Sequence, residues 1–235
     1  ASLSVYVSTV FLLNIDYAGG AWLAFVAAII VGALLGAFNG LFVGVFRLPT
    51  LIVTLGTTYV FRGFMQGALD SVQWATIPEG MEAFGTTALF TARNPVTGLA
   101  ARMPAGFLIF LAILILVSLM IRFTMFGRSI YAIGGAEVSA VRAGYNVVRT
   151  KVLIYVIVGM IASVAAVIRV SMMQQLHPTN MLGMELRVIA GVVLGGISIT
   201  GGKGTLFGAM VGTALMVVVV NSMILLGIPT SWRSV

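Results

Sequence analysis

Long runs without a single charge alternate with short polar stretches, and this alternation sets what the chain can be. Uncharged runs cover 17–46, 105–121, 152–168, 188–202 and 204–232. A helix needs roughly 20 apolar residues to cross a hydrocarbon layer, whereas a barrel strand needs only about 10 of alternating polarity. Alternation of that kind is absent, so the runs predict helices. Those short of a full span predict tilted, broken or re-entrant helices.

Along the chain, residues 1–13 read as part of one helix. "GGAWLAFVAAIIVGALLGAFNGLFVGVF" is a full span closing at Arg47. Pro49 breaks it, and 50–69 form a second span interrupted by Gly56, Arg62 and Gly63. A polar loop over 70–103 follows, with Pro78 and Pro95 in it and Pro104 just beyond. Further spans lie at 105–121 and 152–173, and then come "VIAGVVLGGISITGG" and "GTLFGAMVGTALMVVVVNSMILLG". The expectation is an all-α, polytopic membrane protein, a single transmembrane domain over 1–235 with about six or seven membrane segments. Residues 186–203 fit either a complete crossing or a re-entrant hairpin.

Composition agrees with the pattern. Charged residues make up 8% of 235 positions and the mean hydropathy is +1.13. A soluble domain carries about a quarter charged residues, so most of this surface must face lipid. The net charge of +7 raises nucleic acid as a partner, but its placement encodes topology instead. Arg122, Arg128, Arg142, Arg149 and Lys151 crowd into 122–151 against one acid, Glu137, which marks a cytoplasmic loop. Loop 70–103 holds Arg93 and Arg102 beside Asp70, Glu79 and Glu82, and reads as extracytoplasmic. Arg47 and Lys203 then also fall inside. With no cysteine in the chain, disulfides and thiolate metal sites are excluded.

Two glycine ladders stand out: Gly32, Gly36, Gly40 and Gly44, and then Gly204, Gly208 and Gly212. Residues four apart share a helix face, so each ladder allows close backbone approach. Ordinary helix packing accounts for such strips, as does a subunit interface or a pathway lining. Arg62 lies inside a span, where a charge faces the protein interior or a water-filled path. Arg169 and Glu185 lie near span ends, and Arg169 is expected to snorkel to the interface. His177 reads as a solvated loop residue without a second histidine for a metal pair. "GGISITGGKGT" imitates a phosphate loop, but that motif requires glycine at Ile197 and Ser or Thr at Gly204. No ATP site is expected in this chain.

One polar stretch, "GRSIYAIGGAEVSAVRAGYN" at 127–146, sits between two spans. Gly134 and Gly135 read as a flexible entry, 136–143 as about two helical turns, and Gly144 as the stop. Glu137 lies at the positive end of that helix and Arg142 near its negative end, which suits its dipole. A helix this short is marginal alone, and Val138 and Val141 give it an apolar face. It is either a loop helix lying on its own domain or a docking helix for a partner.

Several segments together resemble a known family. "GALLGAFNGLFVGVFRLPTLIVTLGTTYVFRG", "FGRSIYAIGGAEVSAVRAGYNVVRTK", "MELRVIAGVVLGGISITGGKGTLFGAMVG" and "LLGIPTSW" cover well over a third of the chain. They resemble the permease subunits of bacterial ABC importers for monosaccharides, the ribose, galactose, arabinose and xylose group, which includes autoinducer-2 permeases. The resemblance implies about ten helices per subunit, so that the first helices and the last lie outside this chain. It implies a multi-pass protein of the bacterial cytoplasmic membrane and a second permease subunit, identical or different. It also implies cytoplasmic ATPase subunits that hold the ATP and Mg, and an extracytoplasmic solute-binding protein. The chain itself is then no enzyme and carries no cofactor or metal, and lipid, not nucleic acid, surrounds it.

On the same resemblance, Gly127 to Val147 is the coupling segment, with Gly127, Arg128, Gly134, Gly135, Glu137, Ala140, Arg142 and Gly144 as its candidates. Asn39, Thr54, Gly56, Arg62, Glu185, Gly195, Gly196, Gly201, Gly202, Gly204 and Gly208 are candidates for the translocation pathway or an interface. The chain departs from the family pattern at Ala136, where members often have Asn. It departs again at Arg187, where "ELRVIAG" replaces "ELDAIAA", and at Ser2, which stands for an acid. Branched-chain amino-acid permeases are a near alternative, though "TLGTTYVFRG" and "GRSIYAIGG" favour the sugar side. An ion-coupled secondary transporter would need acids in mid-span, which the sequence does not show. A purely structural subunit would need no docking helix.

Overall fold

The computed structural model describes residues 3–4, 6–9, 22–68, 79–93, 100–175 and 184–227. The chain divides into two compact units, one formed by 1–117 with 148–180 and the other by 118–147 with 181–235.

In the first unit, helix α1 (Trp22–Gly44) buries its smallest residues, Ala24, Ala28, Gly32, Gly36 and Gly40, on one face. That face lies against helix α7 (Val147–Met173). A Cβ at Gly32 would lie 2.6 Å from Gly159 O, and one at Gly40 would lie 2.9 Å from Val152 Cα. The first glycine ladder is therefore a helix-packing seam within the chain, the first of the readings its spacing allowed. Apolar side chains gain little from leaving lipid for protein, so close backbone packing supplies the attraction instead. Hydroxyls join the same seam: Ser163 Oγ lies 2.8 Å from Ser4 Oγ and 2.9 Å from Gly159 O.

Helix α2 (Thr50–Ala68) follows Pro49 and runs unbroken through Gly56, Arg62 and Gly63, unlike the interrupted span the sequence suggests. An interior glycine costs a helix only about 1 kcal/mol, whereas an open turn within lipid strands several backbone polar groups. The threonines settle their own hydroxyls on the turn below. Thr54 Oγ1 donates to Thr50 O at 2.9 Å, Thr57 to Val53 O at 2.8 Å and Thr58 to Thr54 O at 2.6 Å.

The 70–103 stretch, expected as loop, contains structure of its own. Helix α3 (Glu79–Thr86) leads into an antiparallel hairpin of β1 (Ala88–Arg93) and β2 (Ala100–Pro104). The helix lies across the ends of α1 and α7. Phe84 meets Phe25 edge-on at 5.3 Å, Gly85 abuts the Ser171 backbone, and Gln174 Nε2 donates to Glu82 Oε1 at 3.4 Å. Helix α4 (Gly106–Phe123) buries only Gly106, and its apolar side chains are exposed or half-buried.

The second unit holds helices α5 (Met125–Gly135), α6 (Glu137–Arg142), α8 (Met184–Leu194) and α9 (Leu206–Leu225). The second glycine ladder also faces inward: a Cβ at Gly212 would lie 2.6 Å from Gly195 Cα, and one at Gly191 would lie 3.2 Å from Thr213 Cα. Among the described residues, α1, α4, α7 and α9 are long and apolar enough to cross a membrane. The eleven described residues of α8 rise about 17 Å, roughly half of a hydrocarbon core. Exposed leucines, valines and phenylalanines all along α4 and α9 leave one solvent possible for these faces: this is an integral membrane protein.

Candidate functional site

The polar stretch after α4 folds as two helices, not one. Thr124 starts α5: its backbone is extended and its Oγ1 accepts from Gly127 N at 3.1 Å. Gly127 is buried against the Ile121 backbone, where any side chain would collide. Ser129, also buried, donates its hydroxyl to Phe126 O at 2.6 Å. The chain then turns at Ala136, which is extended (φ −158°, ψ 100°) and serves as the last cap of α5 and the first of α6. Its amide donates to Ala132 O at 3.1 Å, but its methyl side chain offers α6 no hydrogen bond.

Helix α6 is six residues long, with Glu137 in its first turn and Arg142 in its last. It ends as the glycine predicts. Gly144 takes φ +85°, its amide donates to Val141 O at 3.0 Å, and Tyr145 N donates to Ala140 O at 3.1 Å. That pair of bonds closes the open carbonyls of the last turn. Ala140, at 2% exposure, anchors the helix, while Val138 (66%) and Val141 (57%) point outward. Arg128, Glu137 and Arg142 are likewise exposed.

Gly134 and Gly135 differ from the flexible entry expected of them. They form the last turn of α5 and pack directly on the turn that joins α8 to α9. A Cβ at Gly134 would lie 2.7 Å from Gly202 N, one at Gly201 would lie 2.8 Å from Gly134 O, and one at Gly202 would lie 2.6 Å from Gly135 Cα. Gly201 and Gly202 hold φ of +93° and +73°, which side chains rarely tolerate. Tyr131, a residue outside the sequence-derived candidates, donates its hydroxyl to Gly204 O at 3.2 Å. Within the turn, Ser198 N donates to Lys203 O at 3.0 Å, and Thr205 Oγ1 caps α9 by accepting from Gly208 N at 3.0 Å.

The structure thus brings Gly134, Gly135, Gly201, Gly202 and Gly204 together, and sets Gly195 against Gly208 where α8 meets α9. Gly196 also lies in this turn, with open space around it. Asn39, Thr54, Gly56 and Arg62 belong to the other unit. Asn39 Oδ1 is enclosed without a hydrogen-bond partner among the described residues. Gly56 faces open space, and Arg62 is half-buried. Arg169, expected to snorkel, is half-buried with its Nε enclosed. The Glu185 side chain and His177 lie outside the described residues. Among the described residues, no three His, Cys, Asp or Glu side chains are placed to hold a metal.

Residues 1–235 match the family model described as "Branched-chain amino acid transport system / permease component". The chain is 31% identical to the ribose import permease protein RbsC of Bacillus subtilis, over 94% of this chain and 72% of that protein. It is 35% identical to the L-arabinose transport system permease protein AraH of Escherichia coli, over 77% of this chain and 52% of that one. A probable ABC transporter permease protein of E. coli, YphD, is 31% identical over 81% of this chain and 54% of its own length. The chain therefore spans about half of the last two. No solved structure matches it.

Proposed function

We propose that this chain, which belongs to the permease-component family matched over its whole length, is the membrane-spanning subunit of an ATP-driven importer for a monosaccharide or sugar-like solute, autoinducer-2 included. Relatives named for ribose and arabinose import support a sugar over a branched-chain amino acid, although the family description carries the amino acid's name. In this reading the protein lies in a bacterial cytoplasmic membrane, with 122–151 inside and 70–103 outside. A second permease subunit completes the pathway, an extracytoplasmic binding protein delivers the solute, and separate ATPases bind ATP and Mg.

The observation that carries the reading is α6. Too short to stand alone, it is anchored through Ala140, closed by Gly144, and turned so that Val138 and Val141 face away from the chain. Such a helix is a plug for a groove on another protein. When two ATPases close on ATP, a helix seated in each would be displaced, and the permease would exchange inward and outward openings.

The test is reconstitution of the full-length protein with its binding protein and ATPases in liposomes. ATP-dependent uptake of a labelled pentose or hexose is expected, with co-purification of the ATPase, and Glu137→Arg should abolish both. Uptake that persists without ATP but collapses with an ionophore would sink the reading in favour of an ion-coupled carrier. Uptake of leucine and not sugar would return the cargo to the amino-acid class.

A further inference from the structure

We propose that the glycine contact between α5 and the 195–205 turn makes the α5–α6 pair and the α8–α9 hairpin move as one body, so that Tyr131, Gly134 and Gly202 are positioning residues of the transport cycle. The proposal rests on the coupling role of α6 given above and says where its displacement goes next.

Sequence adjacency points elsewhere, because α6 is followed within a few residues by α7. By contact, however, 118–147 forms one compact unit with 181–235. The link between these two segments, some seventy residues apart, is a close approach of backbone to backbone. Contacts between side chains yield under load by changing rotamer, whereas here backbone touches backbone. A Cβ at Gly134 would fall 2.7 Å from Gly202 N, and a Cβ at Gly202 would fall 2.8 Å from Gly135 N. The two backbones leave no room for a side chain between them, so the contact has no rotamer through which to yield. A push on α5 therefore passes into the turn.

A pull needs an attractive element, and Tyr131 supplies it. Tyr131 lies three and four residues before the glycine pair, on the same face of α5, and its hydroxyl donates to Gly204 O at 3.2 Å. The receiving turn is itself braced by the Ser198 N to Lys203 O bond and by the Thr205 cap on α9. Beyond it the hairpin stays rigid, because Gly195 abuts the Gly208 backbone and Gly212 abuts Gly195. Displacement entering at α6 is thereby delivered to the α8–α9 hairpin.

Two measurements test this on the full-length permease. In lipid nanodiscs without the ATPase, spin labels at Ser139→Cys and Ile199→Cys, both exposed sites, should give one narrow distance distribution. Gly134→Leu should broaden it, and Tyr131→Phe, which removes only a hydroxyl, should do so to a lesser degree. A broad distribution in the unmodified chain, or a narrow one in both variants, overturns the proposal. In the assembled transporter, Tyr131→Phe with Gly134→Ala should lower solute taken up per ATP hydrolysed by about fivefold or more while hydrolysis itself continues. Parallel loss of both activities, or loss of neither, marks a merely structural contact and also overturns it. If the unmodified assembly shows no ATP-driven uptake, the transport reading fails, and the label distances still decide the clasp.

Discussion

Gly134 and Gly202 meet backbone to backbone: a Cβ on the first would sit 2.7 Å from the nitrogen of the second. Two constraints therefore act on Gly202, its close neighbour and its φ of +73°, whereas Gly196 has φ +85° and open space. Gly196→Ala should cost about 1–2 kcal/mol for the left-handed backbone alone. Gly202→Ala should add about 1–3 kcal/mol for the collision. Thermal unfolding in detergent distinguishes them, and equal losses would mean that the clasp contributes nothing to stability.

Three further glycines make a second contrast. Gly36 lies against the backbone of Tyr155 and Val156 on α7, while Gly56 and Gly63 on α2 have nothing within 4 Å. Gly36→Ala should lower the unfolding temperature and the yield of folded protein through overpacking, about 1–3 kcal/mol. Gly56→Ala should raise stability by up to about 1 kcal/mol, the helix-propensity gain over glycine. Were Gly56→Ala to destabilise the assembled dimer but not the monomer, another subunit would be covering that face.

What could be read from the sequence follows the range over which each interaction acts. The long spans were legible because lipid demands uncharged runs, and Gly144 was legible because a helix stop is local chemistry. The ladder at Gly32, Gly36, Gly40 and Gly44 revealed a close-packed face, yet nothing in its period named α7 as the partner. Gly134 and Gly135 misled for the same reason. A double glycine looks like a hinge until its counterpart at Gly201 and Gly202, far along the chain, is placed against it. Helix α5 stayed hidden because "MFGRSIYAIGG" carries three poor helix formers, and it is the Thr124 cap and burial of Gly127 and Ser129 that hold it. Within the candidate site, the stop of α6 at Gly144 was foreseen. Tyr131 was missed, since one tyrosine in an apolar chain gives no signal.

Ala136 leaves α6 without a side-chain cap: its backbone has the extended form of an N-cap residue, but its methyl cannot accept from the amides of the first turn. Ala136→Asn should stabilise α6 by about 1 kcal/mol and slow amide exchange in its last turn about fivefold, if the helix opens locally. Hydrogen–deuterium exchange of the peptide spanning 137–144 reads this directly. Unchanged exchange would show that α6 is held by its neighbours and not by its own ends.

The outward face and the anchor of α6 should fail in different ways. Val138 is 66% exposed and Ala140 2%. Val138→Asp adds a charge where the chain itself makes little contact, so stability should stay within about 0.5 kcal/mol. If the valine seats in an ATPase groove, losing its burial removes about 1.5–3 kcal/mol, and ATPase retention should fall about tenfold or more. Ala140→Leu instead overfills the anchor, which lowers the unfolding temperature first and ATPase binding as a consequence. Pull-down of the ATPase, paired with thermal unfolding of each variant, separates the two positions. A Val138→Asp protein that retains its full complement of ATPase would remove α6 as the docking element, and the force would then have to enter the permease elsewhere.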